Sequence, residues 1–110
     1  MSRKPEKNYL RKHRMQAALS LRDLGALLGI HKGTLHRYEE GLRPLPAEIV
    51  IASEIIFGVS AAIIFPALYN GVEEEVPIRA LALHDQLAGR LDPISLKKLA
   101  LIRGIPDRLR

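Results

Sequence analysis

The residues best suited to binding chemistry lie close together between positions 32 and 37. Lys32, Thr34, His36 and Arg37 are expected to face outward from a helix, between the apolar positions Ile30, Leu35 and Tyr38. Such side chains suit a ligand that is anionic or rich in hydrogen-bond acceptors, as nucleic acid is. The planar fork of an arginine can hold both acceptors of guanine, and a lysine can reach guanine or phosphate. The histidine can donate or accept, so it predicts little about base identity.

Two short helices joined by a glycine turn, Ser20–Gly41, must position these side chains. Ser20 and Asp23 have the S-x-x-D spacing that resembles a capping box, which starts a helix. Gly29 ends that helix, because glycine best adopts the positive φ of a tight exit. Gly25 lies four residues earlier, where a side chain would keep the two helices from crossing closely. The apolar face of the first helix is expected to contain Leu24, Leu27 and Leu28.

The neighbouring segments are also expected to be helical. One helix should run from Asn8 to about Ala18, and another from Pro46, at its first position, to about Phe57. A fifth should span residues 61–69, broken or bent at Pro66. No alternation typical of a strand occurs. The residues expected to face the core are Leu10, Met15, Leu19, Leu24, Ile30, Leu35, Tyr38, Ile49, Ala52 and Ile56.

The Ser20–Gly41 segment resembles the helix-turn-helix of the phage-repressor and Cro-like (XRE-type) DNA-binding regulators. The likeness extends from about Asn8 to about Tyr69, through RKHRM at residues 11–15, RPLP at 43–46 and EIVIASEIIFGVSAAIIFPALY after it. It implies an all-α fold, with a five-helix lambda-repressor-like DNA-binding domain over residues 1–70. One or two additional helices are expected over residues 71–110, for dimerisation or partner binding.

The resemblance also implies which side chains meet double-stranded DNA. The second helix of the pair, about residues 31–40, would enter the major groove while the first lies across the backbone. Gly33 has two interpretations. It either allows the backbone to approach DNA closely, or it is a chance sequence change at a surface position that tolerates substitution. For Arg22, a solvated helix residue is as good an interpretation as a phosphate contact. The residues expected on the base-reading face are Lys32, Gly33, Thr34, His36 and Arg37, and those expected at phosphates are Ser20, Arg22 and Arg43.

One ion pair is implied by the resemblance alone. In the family, an arginine late in helix one pairs with a glutamate that closes the recognition helix, and these positions are Arg14 and Glu39 here. We expect this pair to be structural. The sequence departs from the family at Leu21, where a phosphate-contacting glutamine is common, and at His31-Lys32-Gly33, where serine and glutamine often open the helix. The departures concern base recognition and leave the fold assignment intact.

The charge of the chain is unevenly distributed. The net charge is +5, but residues 1–43 contain ten Lys/Arg against four Asp/Glu, and residues 44–76 contain five Asp/Glu and no Lys/Arg. Residues 77–110 contain seven Lys/Arg against three Asp/Glu. The basic segment, residues 1–43, therefore contains the helix pair. Positive charge at this place would neutralise the phosphates of a bound nucleic acid. For the basic residues among 3–12, a solvated tail remains an alternative.

The C-terminal third is expected to start a new helix near Glu73-Glu74-Glu75, after a departure from the core at Asn70-Gly71. Asp92-Pro93 then interrupts the chain, and a short final helix is expected over Ser95–Ile102. An apolar stripe precedes the interruption, and it can pack back on the domain or against a second subunit. The stripe consists of Val76, Ala80, Leu83, Leu87 and Leu91.

Other classes of function find little support. The chain has no cysteine, and its four histidines form no H-x-x-x-H pair, so we expect no metal site, no cofactor and no enzyme. The apolar run IVIASEIIFGVSAAIIF is interrupted by Glu54 and Gly58, which argues against a membrane span. The basic start MSRKPEKNYLRK lacks the apolar core of a secretory signal. We therefore expect a cytoplasmic protein.

Two hypotheses of function remain. The favoured one is a sequence-specific DNA-binding transcriptional regulator, a repressor that binds a pseudo-palindromic operator as a homodimer. The alternative is an antitoxin-like module whose C-terminal third binds a protein and whose DNA binding serves autoregulation. The Val76–Leu91 stripe would distinguish them, because a homodimer buries it and a hetero-partner requires it to be exposed in the isolated protein.

Overall fold

The computed structural model describes residues 8–109, which form helices and no strand. This confirms the all-α fold class. The helices are α1 (Leu10–Gln16), α2 (Leu21–Leu28), α3 (Lys32–Glu39), α4 (Ala47–Phe57), α5 (Ala61–Ile64), α6 (Pro66–Leu87), α7 (Pro93–Arg103) and α8 (Ile105–Arg108). The chain divides into two compact units, Met1–Tyr69 and Asn70–Arg110, with the boundary inside α6.

The core of the first unit joins α1, α2, α3 and α5. Ile30 packs against it, as expected, and Tyr38 on α3 and Ile49 on α4 are buried. The expectation was wrong for Met15 and Leu27, which are 58% and 56% exposed. The buried centre of this core consists of Leu10, Leu24, Leu35, Ile64 and Phe65.

Helical periodicity explains both errors. On α1 the core contact is Leu10, and Met15 follows it by five residues, which places it on the opposite side of a helix with 3.6 residues per turn. On α2 the row that meets the core is Leu21, Leu24 and Leu28, at spacings of three and four. Leu27 falls at the edge of that row and remains exposed.

The turn between α2 and α3 forms for local reasons. The Asp23 N–H donates to Ser20 Oγ at 3.0 Å, and the Ser20 N–H donates to Asp23 Oδ2 at 2.9 Å, which is the reciprocal pattern of a capping box. Gly29 ends α2 with φ 72°. A Cβ on Gly25 would stand 2.8 Å from the backbone oxygen of Ile30, so only glycine allows the chain to fold back this closely.

Two helix starts differ from those expected. Asn8 lies before α1 and its Oδ1 accepts the Leu10 N–H at 3.0 Å, while its Nδ2 donates to the Tyr38 carbonyl at 2.9 Å. Asn8 thus satisfies a backbone N–H at the start of α1 from outside the helix, and it also connects the start of α1 to α3. Pro46 is the N-cap of α4, with φ −65° and ψ 153°, and Ala47 is the first helical residue.

The expected fifth helix over residues 61–69 was wrong in its extent. α5 ends at Ile64, Phe65 departs from helical geometry with ψ 62°, and a new helix begins at Pro66. The expected break at Pro66 is confirmed, and because proline has no N–H and a first turn needs none there, the same residue also starts α6. α6 continues through Asn70-Gly71 and contains Pro77, which corrects the expected helix start at residues 73–75.

The second unit has a small core made by α6 and α7. Leu87, Leu99 and Ile102 are buried, and Ala80 packs against them. The apolar stripe is therefore covered in part within the chain, whereas its remaining members Val76, Leu83 and Leu91 are exposed. α7 begins two residues earlier than expected, because Asp92 Oδ2 accepts the Ser95 N–H at 2.9 Å and Pro93 occupies the first position.

Candidate nucleic-acid interface

The exposed side of α3 is the candidate interface. Leu35, Tyr38 and Glu39 are buried on its inner side, and Lys32, His36 and Arg37 are exposed on its outer side. Because α3 has eight residues, it presents little more than two turns to a ligand. The predicted residues Gly33 and Thr34 are half-buried, so their side of the helix is less accessible than that of Lys32 and Arg37.

The start of α3 is fixed by a residue that sequence analysis missed. His31 is its N-cap, and the ring atom Nδ1 accepts the Gly33 N–H at 3.0 Å. A Cβ on Gly33 would stand 3.2 Å from that same Nδ1 and would crowd the cap. The tight fit is a structural reason for glycine at position 33, which neither sequence-based interpretation included. Histidine is not among the preferred N-cap residues Ser, Thr, Asp and Asn, so no pattern in the sequence pointed to this role.

The three predicted phosphate contacts are all exposed, but they lie in different elements. Ser20 is the N-cap of α2 and Arg22 is in its first turn. Arg43 lies after α3, in the segment before α4. The Ser20 hydroxyl accepts the Asp23 N–H, and its own hydrogen stays available to a phosphate oxygen. The bond from the Ser20 backbone N–H lowers the pKa of the Asp23 carboxyl from its ordinary 3.8.

Arg14 and Glu39 form the ion pair that connects α1 to α3. Arg14 donates from Nε to Glu39 Oε2 at 2.7 Å and from Nη2 to Oε1 at 3.1 Å. The remaining Nη1 donates to the Leu19 carbonyl at 3.0 Å. The side chains are 12% and 1% exposed, so the pair faces the interior and leaves neither group available to a ligand. Such a two-point contact fixes orientation as well as distance.

The positive charge near α3 comes from few side chains among the described residues. Residues 8–69 contain seven Lys/Arg and five Asp/Glu, and Arg14 is neutralised by Glu39. The basic residues Arg3, Lys4 and Lys7, which contribute to the predicted basic third, lie outside the described residues. The exposed cations closest in sequence to the helix pair are therefore Arg22, Lys32, Arg37 and Arg43.

Other kinds of site are absent from the part of the chain that the structure describes. No group of three or more His, Cys, Asp or Glu residues in it could hold a metal ion. Within residues 8–109, no helix is both long enough and apolar enough to span a membrane.

The comparison with protein families agrees with this geometry. Residues 8–53 match the family model described as "Helix-turn-helix domain", and the match runs from Asn8, just before α1, to the middle of α4. This segment is similar to XRE-like helix-turn-helix DNA-binding domains. No curated protein and no solved structure matches the chain.

Proposed function

We propose that the chain is a sequence-specific DNA-binding transcriptional regulator that represses its targets by inserting α3 into the major groove. The observation that carries the proposal is the exposed row of Lys32, His36 and Arg37 on a helix whose other side is held by Leu35 and Glu39. In a helix-turn-helix the second helix brings its N-terminal side chains to base edges. Lys32 and Arg37 carry N–H groups that can donate hydrogen bonds to the acceptor atoms N7 and O6 of guanine.

The remaining site residues have supporting roles in this proposal. Ser20, Arg22 and Arg43 contact phosphates and fix the register of the domain without reading sequence. Thr34 and Gly33, which are half-buried, border the base-reading face. Arg14 and Glu39 hold α3 in position from within.

The proposed regulator binds DNA as a homodimer. One small module rarely supplies enough specificity, and two copies on two half-sites multiply it. Its operator is then pseudo-palindromic, with half-sites separated by one or more helical turns of DNA. A cytoplasmic location is part of the same proposal.

Selection of bound sequences from random duplex DNA tests the proposal. The full chain is expected to enrich one half-site in two copies, about 10–10.5 base pairs apart or at a multiple of that distance. A variant with Lys32, His36 and Arg37 all replaced by Ala should lose the enrichment. The matched variant with Lys97 and Lys98 replaced by Ala should retain it, because those cations lie on α7. Absence of enrichment by the unaltered chain would contradict the proposal.

The second candidate is an antitoxin-like protein whose DNA binding serves autoregulation. The exposed apolar side chains of the second unit favour a protein partner of some kind, since they remain accessible in the whole chain. An adjoining toxin-like reading frame, together with a stable complex between the two purified products, would support this candidate. A chain that binds DNA fully and forms no such complex would contradict it.

A further inference from the structure

Asn8 makes two contacts that join the start of α1 to the last turn of α3. Its Oδ1 accepts the Leu10 N–H at 3.0 Å, and its Nδ2 donates to the Tyr38 carbonyl at 2.9 Å. The Tyr38 carbonyl also accepts the Gly41 N–H at 3.1 Å, so both of its lone pairs are used. Asn8 thus holds main chain that lies 30 residues further along the sequence.

The residue that makes this contact is itself held from another side. The N–H of the next residue, Tyr9, donates to the Ile64 carbonyl at 2.7 Å. Ile64 is fully buried in the core of the first unit. The main chain beside Asn8 is therefore fixed to α5, and the Asn8 amide reaches α3 from a fixed position.

A second contact between α1 and the same turn of α3 acts only through side chains. Arg14 and Glu39 join through two long side chains, whose many rotamers allow them to adjust when the helix shifts. The short Asn8 side chain, in contrast, holds the main chain of α3 directly at Tyr38. The Asn8 contact therefore sets the position of the last turn more closely than the ion pair does.

The opposite end of α3 is held by different contacts. The Ile30 N–H donates to the Gly25 carbonyl at 2.9 Å, just before the N-cap of the helix. Lys32 lies at this end, whereas Arg37 lies in the last turn. The two cations are five positions apart, or about 7.5 Å along the helix axis. Loss of the Asn8 contact should therefore displace Arg37 more than Lys32.

The two-point contact of an arginine with guanine tolerates little displacement. The length of each hydrogen bond varies by only about half an ångström, and both bonds must form together for the base to be read. Precise binding sites hold such groups by fixing the elements that carry them. The position of the last turn of α3 therefore affects base recognition by Arg37.

We infer that Asn8 is a positioning residue for base recognition. Its contact with the Tyr38 carbonyl fixes the last turn of α3 so that Arg37 reaches its base, and this role requires no contact between Asn8 and DNA. The inference rests on the proposed function, in which α3 enters the major groove. It adds that specificity at one base pair depends on a residue outside the helix pair, ahead of α1.

Asn8→Asp separates the two contacts of this side chain. A carboxylate can still accept the Leu10 N–H, since aspartate and asparagine form the same turn with the residue two positions on. It cannot donate to the Tyr38 carbonyl, and the negative end of the α3 dipole repels it. Asn8→Ser, whose shorter hydroxyl cannot make both contacts, is a second variant without added charge. The matched control is Asn70→Asp, the same change at an exposed position of α6.

Competition binding on the selected DNA site measures the effect. Arg37→Ala first identifies the base pair that Arg37 reads, by the loss of preference there. In both Asn8 variants, discrimination at that base pair should fall at least about threefold, from the about 5- to 140-fold that a two-point contact supplies. The base pairs that Arg37→Ala leaves unchanged should lose less, and Asn70→Asp should change none of them.

These ratios distinguish positioning from a general weakening of the fold or of DNA binding. A loss of stability, which urea unfolding measures, lowers the amount of folded protein and leaves the ratios between sequences unchanged. Charge repulsion between a new carboxylate and phosphates also lowers all affinities alike and cancels in the ratios.

Three outcomes would overturn the inference: unchanged discrimination in both Asn8 variants, an equal decrease at every base pair of the site, or the same decrease in Asn70→Asp. The proposed function would survive each of them, since the unaltered chain still selects its site. A chain that enriches no DNA sequence would instead contradict the proposed function, and the inference with it.

Discussion

The side chains of α3 divide into those that hold the helix and those that are free to bind. Leu35, Tyr38 and Glu39 are buried, whereas Lys32 and Arg37 are exposed. A substitution on the first group should change stability, and one on the second should change binding. This separation makes the proposed roles testable one residue at a time.

Arg37→Ala should relax the base preference of the protein. If its guanidinium holds one base pair, discrimination at that position falls by about 1–3 kcal/mol. Competition binding with single-base variants of the selected site measures this loss. Arg22→Ala is the matched control, because a phosphate contact weakens binding to all sequences alike. Unchanged discrimination by Arg37→Ala would remove this residue from the base-reading face.

Glu39→Ala should lower stability without altering base preference. Its side chain is 1% exposed, so the substitution leaves Arg14 inside without its partner. Removal of one member of a buried pair costs about 3–5 kcal/mol. Urea unfolding measures the loss, and Glu40→Ala, which alters an exposed neighbour, should change stability by less than about 0.5 kcal/mol. A changed base preference in the Glu39 variant would place this residue at the DNA.

At the scale of elements, local signals predicted the first unit better than the second. The capping box at Ser20 and the glycine exit at Gly29 act within one turn of chain, so the sequence alone identifies them. The extent of α6 was not predictable in the same way, because Gly71 and Pro77 each favour a helix end, and yet the helix continues through both. The cap at His31 was missed because histidine rarely has that role.

The two glycines at positions 25 and 71 should respond oppositely to alanine. Gly25→Ala places a Cβ 2.8 Å from the Ile30 backbone oxygen, and the strain should cost about 1–3 kcal/mol. Gly71→Ala meets nothing within 4 Å inside α6 and should stabilise by about 0.5–1 kcal/mol. Thermal unfolding of both variants measures the difference. Equal shifts would mean that the α2–α3 turn opens to accept the methyl group.

Because of the caps of α2 and α7, the stability of the fold should depend on pH in the acid range. Hydrogen bonds from the Ser20 and Ser95 backbones lower the pKa of Asp23 and Asp92 from 3.8. Their contribution is complete above pH 3.8, and it is lost as the pH falls through the lowered folded-state values. Urea unfolding between about pH 5 and 2 should therefore show a smaller decrease for Asp23→Asn and Asp92→Asn than for the unaltered chain. Parallel curves would contradict the role of these caps.

At the scale of the whole molecule, the described charges differ between the two units. Residues 8–69 have an excess of Lys/Arg, and residues 70–109 have none. Binding to DNA should therefore use cations of the first unit.

The salt dependence of DNA affinity should report this division. Each phosphate contact adds about −0.9 to the slope of the logarithm of affinity against that of salt concentration. Arg43→Ala should reduce the slope by about 1 per site, whereas Arg79→Ala should leave it unchanged because Arg79 pairs with Glu75 in the second unit. Equal effects of the two substitutions would argue that both units contact DNA.

The cap at His31 also determines which edge of its ring faces a ligand. Because Nδ1 accepts the Gly33 N–H, the neutral imidazole must carry its proton on Nε2. His31 is exposed at the start of α3, so this tautomer presents a hydrogen-bond donor and no acceptor to any ligand bound there. If α3 enters the major groove as proposed, Nε2–H can donate to phosphate oxygens or to the base acceptors purine N7, guanine O6 and thymine O4, and it offers no acceptor to the amino groups of cytosine or adenine.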